Sequence, residues 1–513
     1  MTYSNLTSQE KTAIRTLGAL KATGYRPVSV KQEIRSNLIR RIQAGEPVFE
    51  GIWGYENTVI PDVERALLSC HNINFLGLRG QAKTRMARLM VNLLDEYIPV
   101  LEGSELNEDP LQPLTRQSLA LIEEKGDDTP ISWLHREERY TEKLATPDVS
   151  VADLIGDVDP IRAATLKLPY SDERVIHFGL IPRANRGIFV INELPDLQAR
   201  IQVALFNILQ EGDIQIRGFK FRLPLDIQFV FTANPEDYTN RGSIVTPLKD
   251  RIDSQIVTHY PLTVEMGKKI TRQEVKVKEG QEQVAVIPEL VKELIEQIAF
   301  EARNSEYVDR KSGVSARMTI SAYENLLSSI ERRCLINGET QSLARISDLY
   351  HTVPSICGKV ELVYEGEVEG PVIVAQNLIG KAIRTQFASY FPDPEKVRKE
   401  TDPAMRKIID WFGSGNQIAI QDHLNNQEYR ARLKSIDGLD EYVEKHLPGI
   451  TDPDEQLLIM EFALHGLAEF SKIGRQILDN GADFKDLLDT MLPGGGSFDE
   501  DDFDDDEDDD DRY

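Results

Sequence analysis

Residues 73–84 read Ile73-Asn-Phe-Leu-Gly-Leu-Arg-Gly-Gln-Ala-Lys-Thr84. A short apolar run feeds a glycine loop, and the loop opens a helical stretch from Arg85 to Leu94. This is the layout of a phosphate-binding loop, in which backbone N–H groups face phosphate oxygens. Lys83 then reaches the β- and γ-phosphates of a nucleotide, and the Thr84 hydroxyl holds Mg²⁺. Gly77, Arg79, Gly80, Gln81, Ala82, Lys83, Thr84 and Arg85 are the candidate binding residues. The pattern asks for glycine before the lysine, where this chain has Ala82. Alanine tolerates positive φ poorly, so the backbone there is either right-handed or strained. Alone, the stretch also reads as a glycine-rich turn with a chance lysine. The rest of the chain argues against that.

Composition narrows the class. A chain of 513 residues with 41% hydrophobic content allows about three domains with sizeable cores. No stretch approaches the ~18 apolar residues of a membrane span. The N-terminus lacks the apolar core of a signal peptide. The three cysteines, Cys70, Cys334 and Cys357, are far apart and form no Cys-x-x-Cys motif. That pattern suits a reducing cytoplasm and suggests neither a disulfide frame nor a zinc site. Net charge is −26 at pH 7, of which residues 499–513 carry −11 through twelve carboxylates and one arginine. The remaining body is still acidic, which makes nucleic acid an unlikely partner, since its binding needs a basic face. The tail follows Pro493-Gly-Gly-Gly-Ser497 and has little to bury. It is expected to be disordered and solubilising, with a tether for a basic partner, or an inhibitory mimic of a polyanion, as sharper readings.

Helix-spaced apolar residues (Val30, Ile34, Leu38, Ile42) predict a helix ahead of the loop, followed by a second over about Ile60–Ser69. The polar stretch 100–150 is expected to hold one strand near Pro130–Trp133. Gly187-Ile-Phe-Val-Ile191 is continuously apolar, as in a strand buried on both faces of a parallel sheet. A helix over 196–210 follows, with Leu197, Ile201, Leu205 and Ile208 on one face. Ile214–Phe221 reads as a hairpin about Arg217-Gly218. Ile227–Thr232 is another buried strand, and Ile256–Tyr260 a short last one. The remainder is mostly helical, including a helix at 455–470 with one apolar stripe. Alternating strands and helices imply a right-handed parallel α/β sheet, and ligands sit at the carboxyl ends of its strands. The glycine loop, Asn192-Glu193 and Asn234 all fall at such ends.

ATP hydrolysis needs a held γ-phosphate, neutralised charge and a positioned water. Glu193 is the candidate general base, although Asn192-Glu193 would also serve as an ordinary helix cap. Asn192 stands where an aspartate commonly contacts Mg²⁺ through water. Its amide supplies no charge, so weaker Mg²⁺ binding or slower turnover is expected, and an aspartate there should reverse this. Asn234 is the candidate for polarising the attacking water, or else part of an Asn-Pro turn. Arg251 reads either as an arginine finger for a neighbouring subunit's phosphate or as a partner of Asp250 or Asp253. Arg317, at a helix start, reads either as a phosphate contact from a lid or as a solvated arginine.

The order of these parts is specific. It runs glycine loop, Val151-Ala-Asp-Leu-Ile-Gly156, Gly179-Leu-Ile-Pro-Arg-Ala-Asn-Arg-Gly187, strand-Asn-Glu, hairpin, Thr232-Ala-Asn-Pro235, Leu248-Lys-Asp-Arg251 and Ser315-Ala-Arg317. It resembles the AAA+ ATPases of the magnesium chelatase ATPase-subunit (I-subunit) and MoxR-like group over about residues 30–350. The resemblance implies an α/β P-loop AAA+ core at 30–262 after an N-terminal segment (1–29). It further implies a helical lid at 263–352; a mostly helical region (353–492) and the acidic tail (493–513) complete the chain. It also implies ATP and Mg²⁺ as ligands and a homo-oligomeric, hexameric ring with Arg251 acting in trans. A partner with a von Willebrand A-type domain is implied too. Three functions stay open: a partner-remodelling ATPase, the ATPase subunit of a magnesium–porphyrin chelatase, and a nucleotide-binding scaffold that hydrolyses weakly. An enhancer-binding transcriptional activator fits less well, because the chain has neither the Gly-Ala-Phe-Thr-Gly-Ala loop nor a basic helix-turn-helix.

Overall fold

The computed structural model describes residues 3, 6–169, 172–214, 216, 222–235, 243–396, 402–478 and 480–488. Two compact units divide the chain. The first comprises residues 1–273 and 309–317, the second 274–308 and 318–513.

The first unit is built on five parallel strands: β1 (Ile73–Leu76), β2 (Tyr140–Leu144), β3 (Gly187–Asn192), β4 (Ile227–Ala233) and β5 (Ser254–Val257). Their spatial order is β5-β1-β4-β3-β2. Strands β3 and β4 are buried along their whole length. Alternation sends Ile188 and Val190 to one face, where they meet Ile34, Leu38, Val63, Phe75 and Met86. Phe189 and Ile191 go to the other, with Leu205, Ile208, Phe229 and Phe231. The uninterrupted apolar run of Ile188–Ile191 in β3 is what a strand covered on both faces favours. Gly187 sits where β3 first meets the residue before β2, and a Cβ there would strike the Arg139 carbonyl oxygen.

The first face is covered by α1 (Val30–Ala44), α2 (Val59–Leu68) and α3 (Lys83–Leu89), the last continued by a 3-10 turn to Leu93. Ser29 caps α1 and Gly45 ends it in the left-handed region. Ile42, expected on the buried face, is 45% exposed. Buried positions in α1 stop at Leu38, and the more N-terminal Glu33 is spent instead on an ion pair. Both Glu33 oxygens accept from the buried Arg139 guanidinium at 2.7 Å, just ahead of β2.

Stretch 100–150 carries more strand than its sequence suggests. Ile131–His135 pairs antiparallel with Tyr97–Leu101, and β2 forms an edge of the main sheet. The helix expected at 196–210 is broken into a 3-10 turn (Leu194–Asp196) and two short helices that meet at Leu205. The last strand lies at 254–257 rather than 256–260. At the expected hairpin, Asp213–Ile214 pairs antiparallel with Leu223–Pro224; the Arg217-Gly218 turn lies outside the described residues.

The second unit is mainly helical, with α4 (Glu289–Asn304), α5 (Arg317–Asn337, whose first residue belongs to the first unit), α6 (Pro371–Tyr390) and α7 (Pro453–Glu469). Helix α7 is buried all round from Leu457 to Leu467 rather than on one stripe. Such a helix runs through the middle of a core. The sequence reading also missed a small antiparallel sheet of β6 (Ile418–Gln421), β7 (Gly474–Leu478) and β8 (Gly481–Lys485), ordered β6-β8-β7. The acidic tail lies outside the described residues. Among those described, no helix is long and apolar enough to cross a membrane.

Candidate nucleotide site

The loop between β1 and α3 is wedged in place from two sides. The Tyr55 hydroxyl shares its one proton between the Gln81 carbonyl (2.9 Å) and the His259 carbonyl (2.8 Å). Burial pushes that hydroxyl up to about 12, so it stays a donor at neutral pH. Glycine is required at Gly77, where a Cβ would meet Thr258 and Gln81, and at Gly80, where it would meet Ser315. Ala82, just before the lysine, has φ 56° and ψ 16°. This is the left-handed, strained alternative of the two that the sequence allowed. Relieving it should help: Ala82→Gly removes a strain of about 1–2 kcal/mol and loses about 0.4–1 kcal/mol through a freer unfolded chain. The expected net gain is roughly 0.5–1 kcal/mol. Denaturant unfolding checks this; a lower midpoint for the variant would contradict it.

Several candidate side chains converge at the ends of β1, β3 and β4. Lys83 is 7% exposed and donates to the Gly77 carbonyl, the Leu78 carbonyl (3.0 Å) and Asn234 Oδ1 (2.7 Å). Asn234 in turn donates through Nδ2 to Glu193 Oε2 at 2.7 Å. Thr84 Oγ1 donates to Asn192 Oδ1 at 3.2 Å, and Thr232 Oγ1 does so at 3.1 Å. Glu193 sits at φ 55° and ψ 50°, a second non-glycine residue in the left-handed region. Such strain tends to gather where a side chain must be aimed.

The Gln81 side chain accepts from Thr258 (2.7 Å), as its carbonyl does from Tyr55. Arg79 is held by Ser312, and Tyr260 donates to its carbonyl (2.9 Å). Arg85 reaches back towards Gly51. Arg317 opens α5 two residues after the Ser315 that packs on Gly80, and its N–H donates to Ser315 Oγ. Arg251 bonds to neither aspartate weighed for it. Its Nε donates to Gln210 Oε1 (3.0 Å), its Nη1 to the Pro247 carbonyl (2.7 Å), and its guanidinium lies 5.1 Å over the Phe206 ring.

Sequence reasoning missed Glu142, on the edge strand β2. Its Oε1 accepts from Asn192 Nδ2 at 2.6 Å, and its Oε2 accepts from Arg88 (2.9 Å) and Tyr140 (3.0 Å). The available signal was weak: a polar five-residue alternation, Tyr140-Thr-Glu-Lys-Leu144, with no apolar run.

A glycine loop after the interior strand β1, an asparagine just past β4 and an Asn-Glu pair at the end of β3 define a P-loop α/β core. Comparison with known proteins narrows the class. The Sigma-54 interaction domain family matches residues 169–255, the segment from before β3 into β5. The magnesium-chelatase 38 kDa subunit of Cereibacter sphaeroides is 27% identical over 197 residues, covering 37% of this chain and 51% of that protein. The hydrogenase transcriptional regulatory protein HoxA of Cupriavidus necator is 30% identical over 93 residues, 18% of this chain and 19% of that one. The chain thus spans about half the length of the first relative and a fifth of the second. A cryo-EM-based complex of magnesium-chelatase subunits BchI and BchD aligns at 18% identity over 67% of this chain and 99% of that one. Its TM-score is 0.29. Over these stretches the chain is similar to the Sigma-54 interaction domain, to a magnesium-chelatase subunit and to a transcriptional regulatory protein.

Proposed function

We propose that this chain binds and hydrolyses ATP and uses the cycle to remodel or activate a protein partner. The observation that carries the reading is the bonded chain Lys83–Asn234–Glu193 beside the pair Thr84–Asn192, at the ends of adjacent parallel strands. The donor set suits a nucleoside triphosphate. The loop's glycines leave bare backbone, and Lys83 is one compact cation for β- and γ-phosphate oxygens. It also suits a hard divalent ion, since Thr84 and Asn192 offer oxygen ligands directly or through water. When bound, Mg²⁺ would neutralise charge on the phosphates. Glu193 would orient and deprotonate the attacking water, and Asn234 would keep that carboxylate aligned. In this reading residues 30–262 are the nucleotide-binding core and 263–352 a lid, from which Arg317 contacts phosphate. The family resemblance supports a hexameric ring in the cytoplasm and a partner with a von Willebrand A-type domain.

Two narrower readings each have a supporting observation. Likeness to the magnesium-chelatase subunit favours the ATPase subunit of a porphyrin chelatase. Asn192 in place of an acid favours a scaffold that binds ATP and scarcely turns it over. A phosphate-release assay decides the main point. Wild type should release phosphate, and Glu193→Gln should bind ATP as before while losing at least about a hundredfold in rate, the scale of a positioned general base. Equal rates for the two proteins would remove Glu193 from the mechanism. Binding without measurable release by wild type would favour the scaffold.

A further inference from the structure

The position that ends β3 carries an amide, yet a carboxylate lies against it. Asn192 Nδ2 donates to Glu142 Oε1 at 2.6 Å, while Asn192 Oδ1 accepts from Thr84 and Thr232. An ionised carboxylate can only accept, so Glu142 dictates which way the amide faces. The NH₂ must point to β2 and the oxygen to Thr84. A bond to an ionised acceptor is also stronger than a neutral one, and it draws positive charge to the amide NH₂ and negative charge to its oxygen. Glu142 itself is fixed from behind, through Oε2, by Tyr140 and Arg88. Arg88 is 64% exposed, so solvent screens much of its positive charge. Asn192 is buried, so the Glu142–Asn192 contact is screened less.

We infer that Glu142 is a positioning residue for the divalent-ion side of the site, supplying from the neighbouring strand the negative charge that Asn192 lacks. The inference rests on the reading of the loop as an ATP·Mg²⁺ site and adds to it a residue outside the loop and strand-end motifs. It also reverses the expectation for Asn192→Asp. With Glu142 at hydrogen-bond distance, an aspartate there would set two acceptor-only carboxylates against each other, and the bond that aims position 192 would be lost. The single substitution should therefore not improve the site. The pair Glu142→Gln with Asn192→Asp should work, because the glutamine amide can donate to the new carboxylate and the site regains one negative charge.

The test measures binding of a fluorescent ATP analogue to the full chain as a function of free Mg²⁺, with a parallel titration in chelator. Glu142→Gln should raise the Mg²⁺ concentration at half-effect by about tenfold or more, the usual scale for a residue supporting a metal ligand. Its affinity without Mg²⁺ should stay at the wild-type value. Asn192→Asp alone should need at least as much Mg²⁺ as wild type, and the double variant should return to within about threefold of it. A merely structural role for Glu142 predicts no such rescue. The inference is overturned if Glu142→Gln keeps the wild-type Mg²⁺ dependence, if the double variant is no better than Glu142→Gln, or if Asn192→Asp alone needs less Mg²⁺ than wild type. If wild type binds no nucleotide, the ATP·Mg²⁺ reading falls and takes this inference with it. If wild type binds with Mg²⁺ dependence, that reading stands whatever the variants do.

Discussion

Lys83→Ala abolishes measurable ATP binding. Lys83 is the first residue of α3 and nearly buried, and its amine donates to two loop carbonyls and Asn234. A triphosphate brings several negative charges to this place, and the ammonium is the compact counter-charge the loop holds for them. Alanine removes that charge and leaves the Asn234 oxygen without its donor. Loss of a charge-assisted bond costs about 1.5–3 kcal/mol each. Losing three such bonds, about 4.5–9 kcal/mol, moves a micromolar site beyond the millimolar range. Calorimetry with ATP and Mg²⁺ reads this directly, and circular dichroism checks that the variant is folded. Unchanged affinity would mean that the loop is only a turn.

The second large effect concerns Arg251, which should act across a subunit boundary. Its guanidinium rests on Phe206, Gln210 and Pro247 rather than on the Lys83–Asn234–Glu193 chain. An arginine supplied in trans stabilises charge on the transferring phosphoryl group and is worth about 10³ or more in rate. Arg251→Ala should therefore all but stop hydrolysis while ATP binding stays within a fewfold of wild type. Mixing it with Glu193→Gln should restore part of the activity. In a mixed ring, some interfaces pair an intact Glu193 with an intact Arg251. Demonstrated mixing with no recovery would assign Arg251 to its own chain or to packing.

What the sequence made legible follows from burial. Strands β3 and β4 are covered on both faces, so Ile188–Ile191 and Phe229–Phe231 are unbroken apolar runs with polar residues near their ends. The ligand ends of those strands, Asn192-Glu193 and Asn234, were legible with them. Edge strand β2 is only partly buried and carries Glu142 and Lys143, so its pattern resembles a loop. With β2 unseen, Glu142 had no strand to place it beside Asn192. Helical spacing marked α1 but not where its burial stops, because Glu33 answers an arginine 106 residues away, which no local pattern contains. Ala82 showed that the loop had two possible conformations, and only the fold selected the left-handed one. The strands β6 to β8 are too short and too partly buried to stand out from the helices around them.

The most direct test of the account is one calorimetric titration of the wild-type chain with ATP in the presence of Mg²⁺. The account predicts saturable binding that weakens when Mg²⁺ is chelated, with one site for each intact Lys83–Asn234–Glu193 cluster. No heat of binding at protein and nucleotide concentrations up to the millimolar range would contradict it.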